Sequence, residues 1–524
     1  MSLNRRQFLR KTAYYGLGAG TLSQLIQTFS LTNALAQGTG STYRALVCIF
    51  LAGGNDSNNM VVPIGAGPYG SYTNYFNERN PQNLALPQPG TGALNDLVAI
   101  NVVPTAQSGP ISPSWAFHPS LGRNFNPGTI PATNLANLFN TGKLAVVANV
   151  GPLVQPFGSA TQTPRQAYLA AAANQKPFQL FSHSDQIQQW QSCRSDTPSP
   201  TGWGGRLADQ IDPLSNALPQ VTSIAGKATF TVGTTTSPLS IGTGALNTVL
   251  VLNGFASGEM ARTTAFDFLR TVDRNNQLVA ATSDIMSQAK TVAAQLSTDP
   301  TLATTFPNTG IGNQLRQVAK VIKANLQNIN PMLNRQIFFV QLGGFDTHSN
   351  ELVGQGGGIN ASGAYIPGLL GQLNDALVAF YAALQELNAI SPGISSRVTA
   401  FTMSDFNRTY NPAGSGADTV GTDHAWGHFQ LVLGDAVIGQ RFYGVPFSGS
   451  GGTGTVIPLY TRSGAYDAQS RGLWIPTASV EQYANTLAAW YGLDQSGLSN
   501  PASPLRQVFP LLNRFASTNL GFLM

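Results

Sequence analysis

Two segments, Ile337–Asn350 (IFFVQLGGFDTHSN) and Val398–Thr409 (VTAFTMSDFNRT), carry the clearest pattern in the chain. Each starts as a continuous apolar run, Ile337 to Leu342 and Val398 to Met403, and breaks at once into small residues and an acid, Asp346 or Asp405. A strand covered on both faces of a parallel sheet is apolar throughout, and polar chemistry waits for its carboxyl tip. Between the two runs Leu373, Leu377, Phe380, Leu384 and Leu387 recur at intervals of four and three, which predicts an amphipathic helix. Strand, helix and strand in that order form a βαβ unit, so both strands run parallel and both acids arrive at one sheet edge. The next motif, Gly421–His428 (GTDHAWGH), adds Asp423, His424 and His428.

The pattern repeats upstream. Tyr43 to Ala52 reads as a buried first strand that breaks into Gly53-Gly54-Asn55-Asp56, with Asp56 at the tip; an Asx-turn is the plainer alternative there. Lys143 to Val150 reads as a second strand. A short helix is expected around Tyr69 to Arg79, and another helical segment follows Phe117-His118-Pro119. Phe181-Ser182-His183-Ser184-Asp185 opens a helix that runs through Trp190. Ser182 is then either an ordinary N-cap or a group that meets an anion at the helix start. Residues from about 207 to 335 have another texture, Thr/Gly/Ser-rich strands to Gly254 and then helices, one of them with Leu315, Val318, Ile322 and Leu326 at core-packing intervals. This region is expected to be a crossover or cap over the site. A tail helix is expected over Val480 to Tyr491.

Composition narrows the function. Charged residues make up 10% of 524 residues, against about 25% in typical soluble domains. The formal net charge is +5, but Arg5, Arg6, Arg10 and Lys11 stand in an acid-free leader, and without them 24 basic face 23 acidic side chains. No basic patch with interleaved aromatics argues for nucleic acid. The two cysteines, Cys48 and Cys193, are open to pairing in an oxidising compartment, although Cys48 lies in an apolar strand.

The leader itself is informative. Arg5-Arg6 followed by Phe8-Leu9, a weakly apolar stretch and Ala34-Leu35-Ala36 have the parts of a twin-arginine export signal covering residues 1–36. Residues 37–524 are then the mature domain, periplasmic or extracellular, delivered by the twin-arginine translocase. No later apolar run is long enough for a membrane span.

Only five histidines occur, and three of them, His348, His424 and His428, fall between Ile337 and His428. With Asp346, Asp405 and Asp423 they offer nitrogen and oxygen ligands and no thiolate, which suits zinc, manganese, iron or a similar divalent ion. Such an ion lowers the pKa of a serine or water and neutralises charge on a phosphoryl or sulfuryl oxygen. Arg408 either holds Asp405 in an ion pair or presents a fork to an oxyanion.

In order along the chain, GGND with VVP, FHP, SH before a Trp-containing helix, GWGGR, GGFDTH, SDFNRT, GTDHAWG and WIPT resemble the bacterial domain-of-unknown-function 1501 family. That family looks like a divergent, sulfatase-like branch of the alkaline phosphatase superfamily. The resemblance implies an α/β/α sandwich around a central, mostly parallel sheet. It implies metal-ligand roles for Asp56, Asp346, His348, Asp405 and His424, and a nucleophile's place for Ser182. Phe406 stands where the superfamily has a histidine ligand, so His183 or His428 is the expected replacement, and one or two ions, zinc first and manganese, iron or calcium otherwise, are implied. No cysteine lies in a Cys-x-Pro-x-Arg setting, which argues against formylglycine chemistry. The expected function is an exported, metal-dependent hydrolase of a phosphate or sulfate ester, an anionic substrate for which a glycan or polymer is one carrier. The alternative is a superfamily member without catalysis, serving as a secreted binding or assembly protein.

Overall fold

The computed structural model describes residues 42–66, 71–105, 114–123, 133–215, 218–249, 260–272, 274–275, 277–327, 329, 332–359, 362–414, 420–447, 456 and 462–524. Residues 1–36, where a twin-arginine export signal is expected, lie outside them, as do Tyr69 and Gly254.

The central sheet is built from β1 (Arg44–Ala52), β2 (Leu144–Gly151), β3 (Val221–Ser223), β4 (Leu239–Ser240), β5 (Arg335–Gly343), β6 (Val398–Ser404), β7 (His428–Leu433), β8 (Phe442–Tyr443) and β9 (Ala478–Ser479). Their order is β8-β2-β7-β6-β1-β5-β3-β4, with β9 also paired to β2. Every pairing is parallel except the two made by β7, which runs against β6 and β2.

β1 shows why its sequence has to be apolar on both sides. Ala45, Val47, Ile49 and Leu51 enter one core with Leu315, Val318 and Ile322 of the helix Gly310–Gln327 and Leu373, Leu377 and Phe380 of the helix Leu369–Leu387. Leu46, Cys48 and Phe50 enter the other, with Trp190, Trp203, Leu207, Tyr483 and Leu487 from the helices His183–Ser192, Trp203–Gln210 and Val480–Tyr491. Helices thus cover both faces of a mostly parallel sheet. Cys48 and Cys193 are both buried and unpaired. Among the described residues no helix is long and apolar enough to cross a membrane.

Two details depart from the simple βαβ picture. β5 and β6 are parallel but not neighbours, because β1 inserts between them: Leu46 pairs with Ile337 on one side and Thr399 on the other. Hydrophobic pattern alone does not specify neighbours. Residues 207–335, in turn, supply β3, the edge strand β4 and the helix Gly310–Gln327 packed on the sheet.

The reversal of β7 decides where the site forms. β6 ends at Ser404 at the carboxyl edge of the parallel strands, and β7 enters the sheet from that edge at His428, opposite Val150 near the end of β2. The connection carrying Asp405, Arg408, Asp423 and His424 is therefore held where β1 and β5 also end.

The turn after β1 is equally constrained. Gly53 has φ +115°, and a Cβ there would lie 2.4 Å from the Asp346 nitrogen. Gly53→Ala is expected to lower unfolding free energy by roughly 2 kcal/mol or more, whereas Gly90→Ala, at φ +85° with open space around it, costs only about 1 kcal/mol. Urea titrations of the two variants check the difference.

Candidate functional site

At the carboxyl edge three histidines turn toward one carboxylate. The Nε2 atoms of His183, His348 and His424 lie 3.4, 3.1 and 3.6 Å from Asp346 Oδ1, and those of His348 and His424 are 3.0 Å apart. One ligand atom from each of His183, Asp346 and His424 falls within 4.8 Å of the others.

Each imidazole is held from behind by an acceptor. His183 Nδ1 bonds Asp405 Oδ2 at 2.8 Å, His348 Nδ1 bonds Asp423 Oδ1 at 3.1 Å, and His424 Nδ1 bonds the Phe181 carbonyl at 2.7 Å. A carbonyl oxygen can only accept, so His424 carries its proton on Nδ1; the carboxylates favour the same tautomer in the other two rings. Three Nε2 lone pairs then face a carboxylate oxygen. Arg408 Nη2, 2.5 Å from that oxygen, is one cation beside the set; a metal ion among the nitrogens would be another, and outer acceptors on Nδ1 are the usual support of histidine ligands. A tetrahedral zinc site with bonds of about 2.0–2.1 Å has edges of about 3.3 Å, close to the distances from the Nε2 atoms to Asp346 Oδ1.

The local charges are tuned in both directions. The hydrogen bond that His183 donates to Asp405 raises the His183 pKa, with the Asp405 and Asp346 charges adding to it against burial. Burial lowers that of His424, and the charges of Arg408 and the two neighbouring histidines add to the effect. Burial pushes Asp346 up, but the hydrogen bond and charge of Arg408, with His183 and His348, outweigh it and leave the carboxyl below its ordinary value. Asp423 is lowered in the same way: burial opposes, and Arg471 with His348 prevails. Phe406 takes no ligand position; its ring stacks on His424 with centroids 4.3 Å apart and lies 4.7 Å from His183.

Of the residues singled out from sequence, the structure brings together Asp346, His348, His424, His183 and, behind His183, Asp405. Asp405 is 1% exposed and accepts from Gly53 N at 3.1 Å as well as from His183, so it faces the cluster through an imidazole. Arg408 pairs with Asp346 at 2.5 Å and not with Asp405. Its guanidinium is fully buried and donates to the carbonyls of Gly53, Gly54, Phe345 and Thr422, which leaves no open fork for an oxyanion. Ser182 precedes the helix His183–Ser192, but its hydroxyl donates to Asp185 Oδ2 at 2.6 Å and makes no capping bond.

Two residues are not brought to the cluster. Asp56, 2% exposed, is ion-paired to the buried Arg79 and accepts from Asn58 N at 3.1 Å, the turn-capping role that its sequence context also allowed. Beside it, burial and the Asp56 charge push Glu351 well above its ordinary value. His428 opens β7 inside the core, edge-on to Trp190 with ring centroids 4.8 Å apart, and burial lowers its pKa to about 3. The reversal that carries His424 to the edge leaves His428 four residues further along, already in the sheet.

Sequence reasoning missed Arg471, which pairs with Asp423, and the Phe181 carbonyl. Arg471 stands just ahead of the WIPT segment, but its partner Asp423 is 48 residues upstream, and a backbone acceptor leaves no residue-type signal. A cleft of about 270 Å³ adjoins the cluster, lined by Phe181, His348, Thr409, Asp423, His424, Gln469, Arg471 and Leu473.

The fold and the cluster together define an α/β protein with a histidine–aspartate centre at the carboxyl edge of its sheet. Residues 43–446 match the family described as "Protein of unknown function (DUF1501)", and the chain belongs to that family. No curated protein matches the chain.

Because the folded chain keeps His428 neutral down to about pH 3 while an unfolded histidine binds its proton near pH 6.5, this group's contribution to stability is complete above about pH 6.5 and is lost as pH falls toward 3. His428→Gln should remove up to about 1.4 kcal/mol per pH unit from the slope in that window, as read by urea unfolding between pH 4 and 7.

Proposed function

We propose that this chain is an exported, metal-dependent hydrolase of a phosphate or sulfate ester, with its divalent ion held by His183, Asp346 and His424 and with His348 beside them. One observation carries the reading: three Nε2 atoms converge on Asp346 while every Nδ1 is occupied by an acceptor. The alkaline phosphatase/sulfatase-like sandwich that the motifs resemble is proposed on the same footing, supported by a mostly parallel sheet with helices on both faces. The leader motif supports periplasmic or extracellular delivery by the twin-arginine translocase.

The donor set of imidazole nitrogens and a carboxylate suits zinc first, with manganese, iron and calcium following. Such an ion supplies positive charge to a phosphoryl or sulfuryl oxygen and makes an oxygen nucleophile easier to ionise. The chain's own groups do the rest. Asp405, Asp423 and the Phe181 carbonyl orient the rings. Arg408 fixes Asp346 and ties together the loops that bear the ligands. Ser182 stands one residue before His183 as the nucleophile, and Asp185, 2.6 Å from its oxygen, is the group placed to take its proton.

A second reading, a binding or assembly protein without catalysis, is favoured by one observation: Arg408 already gives Asp346 a positive partner. Elemental mass spectrometry of the purified protein separates the two. About one equivalent of metal is expected in the wild type, lost in Asp346→Ala and His424→Ala and retained in Ser182→Ala. Metal-free, well-folded wild type sinks the hydrolase reading.

A further inference from the structure

Three side chains of the cleft, Gln469, Arg471 and Leu473, come from a loop beyond residue 446, where the family match ends. That loop is a built element. Asp467 is fully buried, and its carboxylate accepts four backbone N–H groups, from Ser463 at 2.9 Å, Gly472 at 3.0 Å, Gln469 at 3.1 Å and Leu473 at 3.0 Å. Arg165 braces it from outside by donating to the carbonyls of Asp467 and Gln469. A carboxylate saturated by main-chain donors holds the backbone path, and with it the direction of the side chains.

Arg471 is the cation that this loop presents. Nη1 pairs with Asp423 and Nη2 donates to the Asn411 carbonyl at 3.1 Å, while Nε makes no hydrogen bond among the described residues. The side chain stays 33% exposed at the cleft wall. Asp423 stands between Arg471 and His348, so the guanidinium is one carboxylate and one imidazole ring removed from the Nε2 atoms. That separation keeps it off the histidine cluster but on the wall of the same cleft, within reach of a part of a ligand other than the group that meets the cluster. Leu473 and Phe181 offer that portion an apolar wall, and the exposed Gln469 a neutral donor.

We propose that the loop Ser463–Leu473 sets substrate specificity and that Arg471 receives a carboxylate on the alcohol portion of the ester. The assignment rests on the hydrolase reading above and names its substrate class: phosphate or sulfate esters of acidic alcohols. A guanidinium with free N–H groups matches a carboxylate where an ammonium or amide does not.

Two unreactive sulfonates test it, benzenesulfonate and para-sulfobenzoate, titrated calorimetrically into zinc-loaded protein. The wild type should bind para-sulfobenzoate about tenfold tighter. Arg471→Gln should erase that preference while leaving benzenesulfonate affinity and metal content unchanged, and Arg471→Lys should keep only part of it. Equal affinity of the wild type for the two sulfonates, or an equal loss of both in Arg471→Gln, overturns the specificity assignment and leaves the hydrolase reading standing. Binding of neither sulfonate by metal-loaded protein overturns the assignment as well. A wild type that takes up no zinc and binds neither sulfonate overturns the hydrolase reading, and this assignment with it.

Discussion

A buried guanidinium organises this molecule's working edge. Arg408 has no solvent exposure, and its donors reach carbonyls on three separate connections: Gly53 and Gly54 after β1, Phe345 after β5, and Thr422 ahead of β7. Burying a cation without partners is prohibitive, so the three loops are obliged to converge on it. The charge is balanced by Asp346, the same carboxylate toward which the histidines turn. Removing Arg408 would therefore disturb the shape of the edge and the electrostatics of its central acid together.

Around this brace the polar residues divide into two kinds. Asp405, Asp423 and the Phe181 carbonyl sit behind imidazoles and fix which nitrogen faces forward. Asp56, Arg79, Glu351 and Gln355 instead form an internal network: Arg79 pairs with Asp56, Gln355 accepts from Asp56 N at 2.9 Å, and Thr422 donates to Glu351. This second set ties the turn after β1 to the segment that follows His348. Asp56 and Asp346 both lie just past strand tips and both pair with a buried arginine, and exposure separates them: Asp56 is 2% exposed against Arg79, while Asp346, paired with Arg408, is 48% exposed among histidines.

Much of this was legible beforehand, for physical reasons particular to each element. The apolar runs over Arg44–Ala52, Leu144–Gly151, Arg335–Gly343 and Val398–Ser404 announce strands buried on both faces, because no face is left to carry polar groups. The helix Leu369–Leu387 announces itself by spacing, since its core side has to repeat with the helical turn. Asp346, His348 and His424 were legible from their position just past such runs or in an isolated Asp-His pair. Asp56 was equally visible and equally well placed, yet its partner Arg79 sits 23 residues further on in a helix with no distinguishing motif. Nothing local separates a ligand from half of a buried ion pair.

By itself the sequence determined the long central strands, the amphipathic helices beside them, the parallel character of those strands and the edge to which the acids come, because these follow from periodicity and chain direction, which are local properties; the short strands Val61–Pro63, Val98–Asn101 and Ser114–Phe117 carry no such pattern. Tertiary structure alone decided that β1 lies between β5 and β6, that β7 runs backwards, that His183 and not His428 stands beside Asp405, and that Arg471 reaches the cleft. Those outcomes depend on which distant groups meet, and a contact is fixed by the packing and charge balance of the whole assembly of strands and loops, not by the residues on either side of it.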